Sequence, residues 1–331
     1  MYNGNFSLWC DFIESDFLES DFKEFIKKGV FNGATSNPSI FKNAILTNEK
    51  YKTAVKNIKN KDTKRKYEIL AMRDIRRAAE IMLRNFCDDD DGFISIEVDP
   101  ALKSSKEIFK EGKRLYSAIG MPNVMIKVPA TKEGLGAMSE LVEKGINVNA
   151  TLIFSPAQTK KCLNAFEKGT KKFRKRFPNA NLPKCVISIF VSRFDKMLDE
   201  IFANAGLQKA KFGIYNASVC YQEIQKANLS NVRALFASTG TKSPDLPKDY
   251  YINELMFANC INTAPLDAIK AFNPQNLSIK TPVSESEIEL YFKALKKAKV
   301  DIEDCYKKLL DDGMEQFKIA FNEILKSLKE K

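Results

Sequence analysis

The chain contains no histidine in its 331 residues. Ser-His-Asp and Cys-His relays are therefore excluded, and the commonest ligand of a catalytic zinc or iron is missing. Any acid–base chemistry must fall to carboxylates, lysines, tyrosines, cysteines or water. Paired cysteines are missing as well. The seven, at 10, 87, 162, 185, 220, 260 and 305, include no CxxC pair and are odd in number. That spacing argues against a zinc cluster or a disulfide framework and for reduced thiols. No apolar run approaches the roughly 18 residues that span a bilayer, and no basic-then-apolar leader opens the sequence. The expectation is a soluble, unexported, cytoplasmic protein. No Pro/Gly/Ser-rich linker or repeated block divides the chain, so residues 1–331 are expected to form one domain.

What is present is an alternation of short apolar runs and long helical patterns. The strand candidates are 7–13, 30–36, 92–99, 123–130, 146–154, 185–194, 233–240 and 259–265. Helical spacing of apolar residues marks 64–86, 101–120, 131–145 and 155–177, the second and third ending at glycine. In the fourth, Ser155 reads as the cap, Pro156 as the first helical residue, and the closing "KKFRKRF" (171–177) places cations where the helix dipole favours them. The net charge is +11. This basic cluster is read as a solvated helix face within a general lysine excess, with no nucleic-acid partner implied, although a positive field would draw in small anions. Eight strands separated mostly by helices predict the α/β class, as a single (β/α)8 TIM barrel. Residues 284–331 are almost wholly helical and predict a C-terminal extension packed on the barrel, against its outside or over its mouth.

Within "NVMIKVPAT" (123–131), Lys127 interrupts an apolar strand. An unpaired ammonium there would be penalised by burial, and the neutral amine favoured by that penalty is what a nucleophile needs. A solvent-facing strand lysine is the alternative. Strand parity adds neighbours. Asn147, Asn149 and Thr151 share one face, opposite Ile146, Val148, Ala150 and Leu152. Ser188 and Ser192 share a face with Phe190, Glu97 follows Phe93 and Ser95, and Asp11 follows Trp9. Polar groups thus gather towards the C-terminal ends of several strands, where barrel enzymes place their chemistry.

The segments "ATSNPSIF" (34–41), "NVMIKVPAT", "NVNATLIFSPAQ" (147–158) and "ISIFVSRFD" (187–195), in this order and spacing, resemble the transaldolase family. "LWCDFI", "ASTGTK" (237–242) and "NTAP" (262–265) resemble its longer bacterial form. The resemblance implies a lysine Schiff-base transferase of the non-oxidative pentose phosphate pathway that needs neither metal nor cofactor. Its substrates would be sugar phosphates: sedoheptulose 7-phosphate, fructose 6-phosphate, glyceraldehyde 3-phosphate and erythrose 4-phosphate. It would work away from membranes, as a monomer or homodimer.

The same match implies the residue roles. Lys127 would form the Schiff base, Asp11 would exchange a proton with the hydroxyl beside the breaking bond, and Glu97 would work through a water held with Thr151. Asn37, Asn149 and Ser188 would hold the dihydroxyacetone unit, with Phe190 as an apolar wall. Arg193 would pair with the phosphate. Where the best-known branch carries a further arginine, this chain reads "STGTK", so Ser238 and Lys242 are the expected phosphate partners. Taken singly, Asp11 also reads as a turn cap, Asn37 as the residue that starts a helix and Thr151 as an ordinary strand residue, while Cys10, beside Asp11, reads as an oxidation switch or as a packing residue. A fructose-6-phosphate aldolase of the same superfamily is the nearest rival. Those chains are shorter and usually carry an amide at the Glu97 position. A basic nucleic-acid-binding barrel without activity is the rival of another class.

Overall fold

The computed structural model describes residues 5–59, 62–204, 206, 208–241, 243–274 and 278–329. The strands are β1 (Ser7–Cys10), β2 (Ala34–Thr35), β3 (Ile94–Glu97), β4 (Val124–Pro129), β5 (Asn147–Ile153), β6 (Cys185–Phe190), β7 (Val232–Ala237) and β8 (Cys260–Ala264). The helices are α1 (Ser15–Glu19), α2 (Asp21–Lys27), α3 (Pro38–Thr47), α4 (Glu49–Lys56), α5 (Thr63–Ile81), α6 (Leu83–Cys87), α7 (Ser105–Ile119), α8 (Lys132–Glu143), α9 (Pro156–Arg176) and α10 (Arg193–Asn204). They continue as α11 (Phe212–Ala227), α12 (Tyr250–Glu254), α13 (Leu266–Ala271), α14 (Glu285–Lys297) and α15 (Ile302–Lys329).

Each strand pairs in parallel with the next, and β8 pairs with β1, closing the barrel in sequence order. The expected (β/α)8 TIM barrel is what the chain forms. Each of the eight predicted runs corresponds to one strand, with β7 starting one residue early at Val232, but the paired portions are shorter, and of 30–36 only Ala34–Thr35 belongs to the ladder. Parity sorts the side chains into two shells. Ile94, Ile96, Ile126, Val148, Ala150, Ile187 and Ala234 pack outward beneath the helices. Trp9, Phe93, Met125, Val186, Leu235 and Ile261 form a separate apolar cluster, and their alternation along the strands places them inside the barrel. Cys10 lies in the outer shell at 0% exposure, and burial pushes its thiol far above the ordinary range, so it is a packing residue.

The helix signals act as read. Ser155 and Gln158 form a reciprocal capping box at the start of α9, with Pro156 in the first turn. Gly120 and Gly145 follow α7 and α8 at φ 67° and 78°. The reading of 64–86 as one helix needs correction, because it divides at Met82 into α5 and α6. Gly92, entering β3, presses on that turn: a Cβ there would stand 2.4 Å from the Phe86 nitrogen and 2.7 Å from the Met82 oxygen. No local residue in 64–86 announces the break. The parity of Leu152 also differs from the reading. Ala150 pairs with Ile187 but Ile153 with Ile189, so one extra residue bulges from β5, and Leu152 sits at φ 57° in the cluster with Phe154 and Phe190.

The C-terminal helices answer the placement left open. Tyr291 of α14 packs against Phe202, Phe212 and Tyr215 on the α10–α11 side. From there α15, roughly 42 Å long at the α-helical rise, crosses the end of the barrel where the strands finish. The Tyr306 hydroxyl donates to Asn216 Oδ1 at 2.8 Å near its start. Glu323 pairs with Lys42 of α3 at 2.9 Å near its end. Between these points the helix lies over β5 and β4.

Candidate active site

Inside the barrel, above the apolar layer, stands a polar one. The register sets Glu97 beside Lys127 and Lys127 beside Asn149 on three successive strands. Lys127 is 5% exposed and Glu97 6%. The lysine is not unpaired, as its apolar setting suggests: Nζ donates to the Ser36 carbonyl at 3.1 Å and lies 3.7 Å from Glu97 Oε2. The ring of Phe317, on α15, is centred 6.0 Å from the same nitrogen.

Burial pushes the Glu97 carboxyl up to about 7, with Lys127 pulling it down and Asp11 adding to the rise. Neither carboxylate oxygen has a hydrogen-bond partner among the described residues, and neither has the Thr151 hydroxyl. Buried polar atoms without partners are uncommon and mark places built to receive a proton, a water or a ligand.

Asp11 follows β1 directly, held by its own N–H donating to the Ala264 carbonyl at 2.8 Å. Its Oδ1 accepts from the Thr35 hydroxyl at 2.6 Å, and Thr35 in turn meets Thr263 at 2.7 Å. Burial raises the Asp11 carboxyl above its usual range, opposed by the Lys127 ammonium and the Thr35 bond. Two carboxyls raised by burial thus share one lysine, an arrangement suited to several separate proton transfers.

A chain of hydrogen bonds spans the neighbouring strands: Ser188 donates to Asn149 Oδ1 at 2.6 Å, and Asn149 donates to Ser95 Oγ at 3.1 Å. Asn149 keeps one N–H and Ser188 its lone pairs for a further partner. Asn37 is the N-cap of α3, accepting from the Ile40 nitrogen at 3.1 Å, so its structural role is real and its amide N–H groups are separate from that bond.

Phe190 ends β6, and Arg193 opens α10 with its guanidinium 5.5 Å from the Phe190 ring. Burial lowers the Arg193 pKa, with Asp312 of α15 opposing. Ser238 follows β7 at φ 53°; its hydroxyl lies 3.1 Å from that of Ser192, and its carbonyl accepts from the Ser192 nitrogen at 3.0 Å. Lys242 lies outside the described residues.

The structure therefore places Asp11, Glu97, Lys127, Asn149, Thr151 and Ser188 inside one end of the barrel, with Asn37, Phe190, Arg193 and Ser238 at the same ends of their strands. Sequence reasoning missed Ser36, Thr35, Thr263 and Phe317. Thr35, Ser36 and Thr263 fall within "ATSNPSIF" and "NTAP", so their signal was present in the sequence without a role. Phe317 sits in an amphipathic helix, where nothing separates it from ordinary core.

A cavity of about 960 Å³ lies at the opposite, N-terminal end, lined by Trp9, Met125, Asn147, Val186, Arg233 and Ile261 among others. Size alone would make it the default site. Lys184 and Arg233 are its cations, and the two terminal nitrogens of Arg233 are engaged: Nη1 meets Asp91 at 2.7 Å, and Nη2 donates to Ser7 and to the Asn5 and Cys260 carbonyls, while Nε has no partner among the described residues. Asp91 also accepts from the Trp9 indole at 3.0 Å. Arg233, Asp91 and Trp9 thus tie the strands together around this cavity. The basic cluster of α9 is exposed, with Lys171 paired to Glu167 at 2.6 Å and Lys172 to Glu143 at 2.9 Å. Among the described residues no helix is long and apolar enough to cross a membrane.

Comparison with known proteins supplies the family. The sequence model described as transaldolase/fructose-6-phosphate aldolase covers residues 8–328. A protein of Campylobacter jejuni (strain RM1221) named transaldolase is 49% identical over 330 residues, covering 98% of this chain and 99% of its own. One of Helicobacter pylori (strain Shi470), also named transaldolase, is 44% identical over 326 residues, 97% of this chain and 99% of that one. The chain belongs to the transaldolase/fructose-6-phosphate aldolase family.

Proposed function

We propose that this protein is a transaldolase, moving a dihydroxyacetone unit from sedoheptulose 7-phosphate to glyceraldehyde 3-phosphate to give erythrose 4-phosphate and fructose 6-phosphate. The observation that carries this reading is the buried Lys127 amine, 3.7 Å from a Glu97 carboxyl raised to about 7, with Asp11 in electrostatic reach of both.

The Lys127 amine adds to the ketose carbonyl, and loss of water from the carbinolamine leaves an iminium. Glu97 moves the protons of these steps through a water held with Thr151, for which their unpartnered oxygens are the support. Asp11 takes the proton from the hydroxyl on the carbon being released. The carbon–carbon bond breaks, the aldehyde leaves, and its bonding electrons remain as a neutral enamine. Attack on the acceptor aldehyde reverses the sequence, Asp11 returning the proton to the new hydroxyl, and hydrolysis frees the amine. Asn37, Asn149 and Ser188 hold the hydroxyls of the three-carbon unit, and Phe190 walls it. Arg193, Ser238 and Lys242 receive the phosphate, the planar guanidinium offering a bidentate fork.

The reading includes a cytoplasmic, metal- and cofactor-independent enzyme, monomeric or homodimeric, that acts as one domain. Contacts of α15 with both flanks of the barrel support the last point. Transfer is preferred over simple aldol release because Glu97 is a carboxylate and the relatives above bear the name transaldolase over their full length. The test is an assay with fructose 6-phosphate, with and without erythrose 4-phosphate. Turnover that requires the acceptor supports transfer, and equally fast release of dihydroxyacetone without it would make the protein an aldolase.

A further inference from the structure

Gly313, Phe317 and Phe321 recur every four residues along α15 and so share one face of the helix. That face lies on the site. A Cβ on Gly313 would stand 2.9 Å from Leu152 Cδ2 and 3.7 Å from Arg193 Nη1. Glycine is a poor choice within a helix, and this close approach explains it. One turn on, Phe317 is 4% exposed and faces Lys127. A further turn on, Phe321 meets Tyr67 edge-on at 5.2 Å, and both line a residual cavity of about 10 Å³ with Glu97. The bulge at Leu152, the one irregular residue of β5, supplies the surface on which Gly313 rests.

Resting on the transaldolase reading, we propose that Phe317 is a positioning residue of the reaction: its ring roofs Lys127, attracts the positive charge that the nitrogen carries as an iminium, and shields the enamine from water until the acceptor aldehyde arrives. The enamine has two fates. Its carbon bonds to the acceptor's carbonyl carbon, or it takes a proton from water, after which hydrolysis of the carbon–nitrogen double bond releases free dihydroxyacetone and the amine. An aromatic cover disfavours the second by keeping water away. The ring face favours the iminium over the neutral amine, an effect of roughly five- to thirty-fold for a desolvated cation–ring contact.

The test uses full-length protein carrying Phe317→Leu, which keeps apolar bulk and removes the ring. Phe317→Met is made alongside as a second variant of similar volume. With fructose 6-phosphate, dihydroxyacetone release without acceptor and transfer to erythrose 4-phosphate are both measured, and their ratio is the readout. The expected result is a fall in transfer of about tenfold and a rise in the release-to-transfer ratio of about tenfold. A ratio unchanged within about twofold in a folded variant overturns the role of Phe317, whatever happens to its melting temperature. Borohydride reduction of the unsubstituted protein separates the two ideas. If it yields an adduct on Lys127 while the variant ratio stays unchanged, only the roof is wrong; if no adduct forms, the underlying reading fails with it.

Discussion

At the scale of the residue, three ionisable groups, Asp11, Glu97 and Lys127, share a buried space. Glu97 is raised to about 7 by burial, so it can both give and take a proton near neutrality. Below that value it is protonated and can no longer accept. kcat/KM is therefore predicted to fall about tenfold per unit as pH drops below about 7, and Glu97→Gln to give a pH–rate profile without that inflection, lowered by roughly 10²–10⁴-fold. Asp11→Asn should separate the steps differently. Its proton transfer belongs to bond cleavage, so turnover should fall by roughly 10²-fold or more while borohydride still traps the ketose on Lys127. Loss of trapping in that variant would place Asp11 in Schiff-base formation instead. Much of this constellation was legible, because parity within each strand marks the polar faces that carry Glu97, Asn149 and Ser188, and the family resemblance joins Lys127 to them; the register that sets Glu97 beside Lys127 and Lys127 beside Asn149 is a property of the closed barrel. The partners of Lys127 were not, since a backbone carbonyl such as that of Ser36 leaves no mark in a sequence.

At the scale of the element, each strand has a counterpart in the sequence because two-residue alternation and the helices between them are local properties. What escaped was imposed from elsewhere. The division at Met82 answers to Gly92 on an incoming strand, and the bulge at Leu152 to the register of β6. Helix α10 carries another feature that sequence does not display: Asp195 is 3% exposed, with only the Gly213 backbone N–H acting to lower its carboxyl pKa. Burial, reinforced by Asp199 one turn on, pushes its carboxyl up to about 8. The folded state therefore holds a proton that the unfolded chain has already released, so stability falls as pH rises from about 4 to about 8. Asp195→Asn should flatten that fall and raise the melting temperature at pH above about 8 by roughly 3 °C. A variant that melts lower at every pH would contradict the assignment.

At the scale of the whole molecule, the barrel divides its labour by end. The C-terminal end holds Lys127 beneath α15, while at the N-terminal end Arg233, Asp91 and Trp9 tie the strands together around a cavity. Arg233→Met should leave kcat close to unchanged and lower stability by about 3 kcal/mol, since it strands a largely buried carboxylate. Thermal melting beside steady-state assay checks this. The path of α15 was the least legible feature, because an amphipathic helix fits the outside or the mouth equally well, and only the tertiary surface of Leu152 and Arg193 selects the mouth. The chemistry at every scale converges on one nitrogen, Lys127 Nζ. The most direct measurement is borohydride reduction in the presence of fructose 6-phosphate followed by peptide mass mapping. The account predicts a reduced dihydroxyacetone adduct on Lys127; folded protein that gives no adduct, or carries it on another lysine, would contradict it.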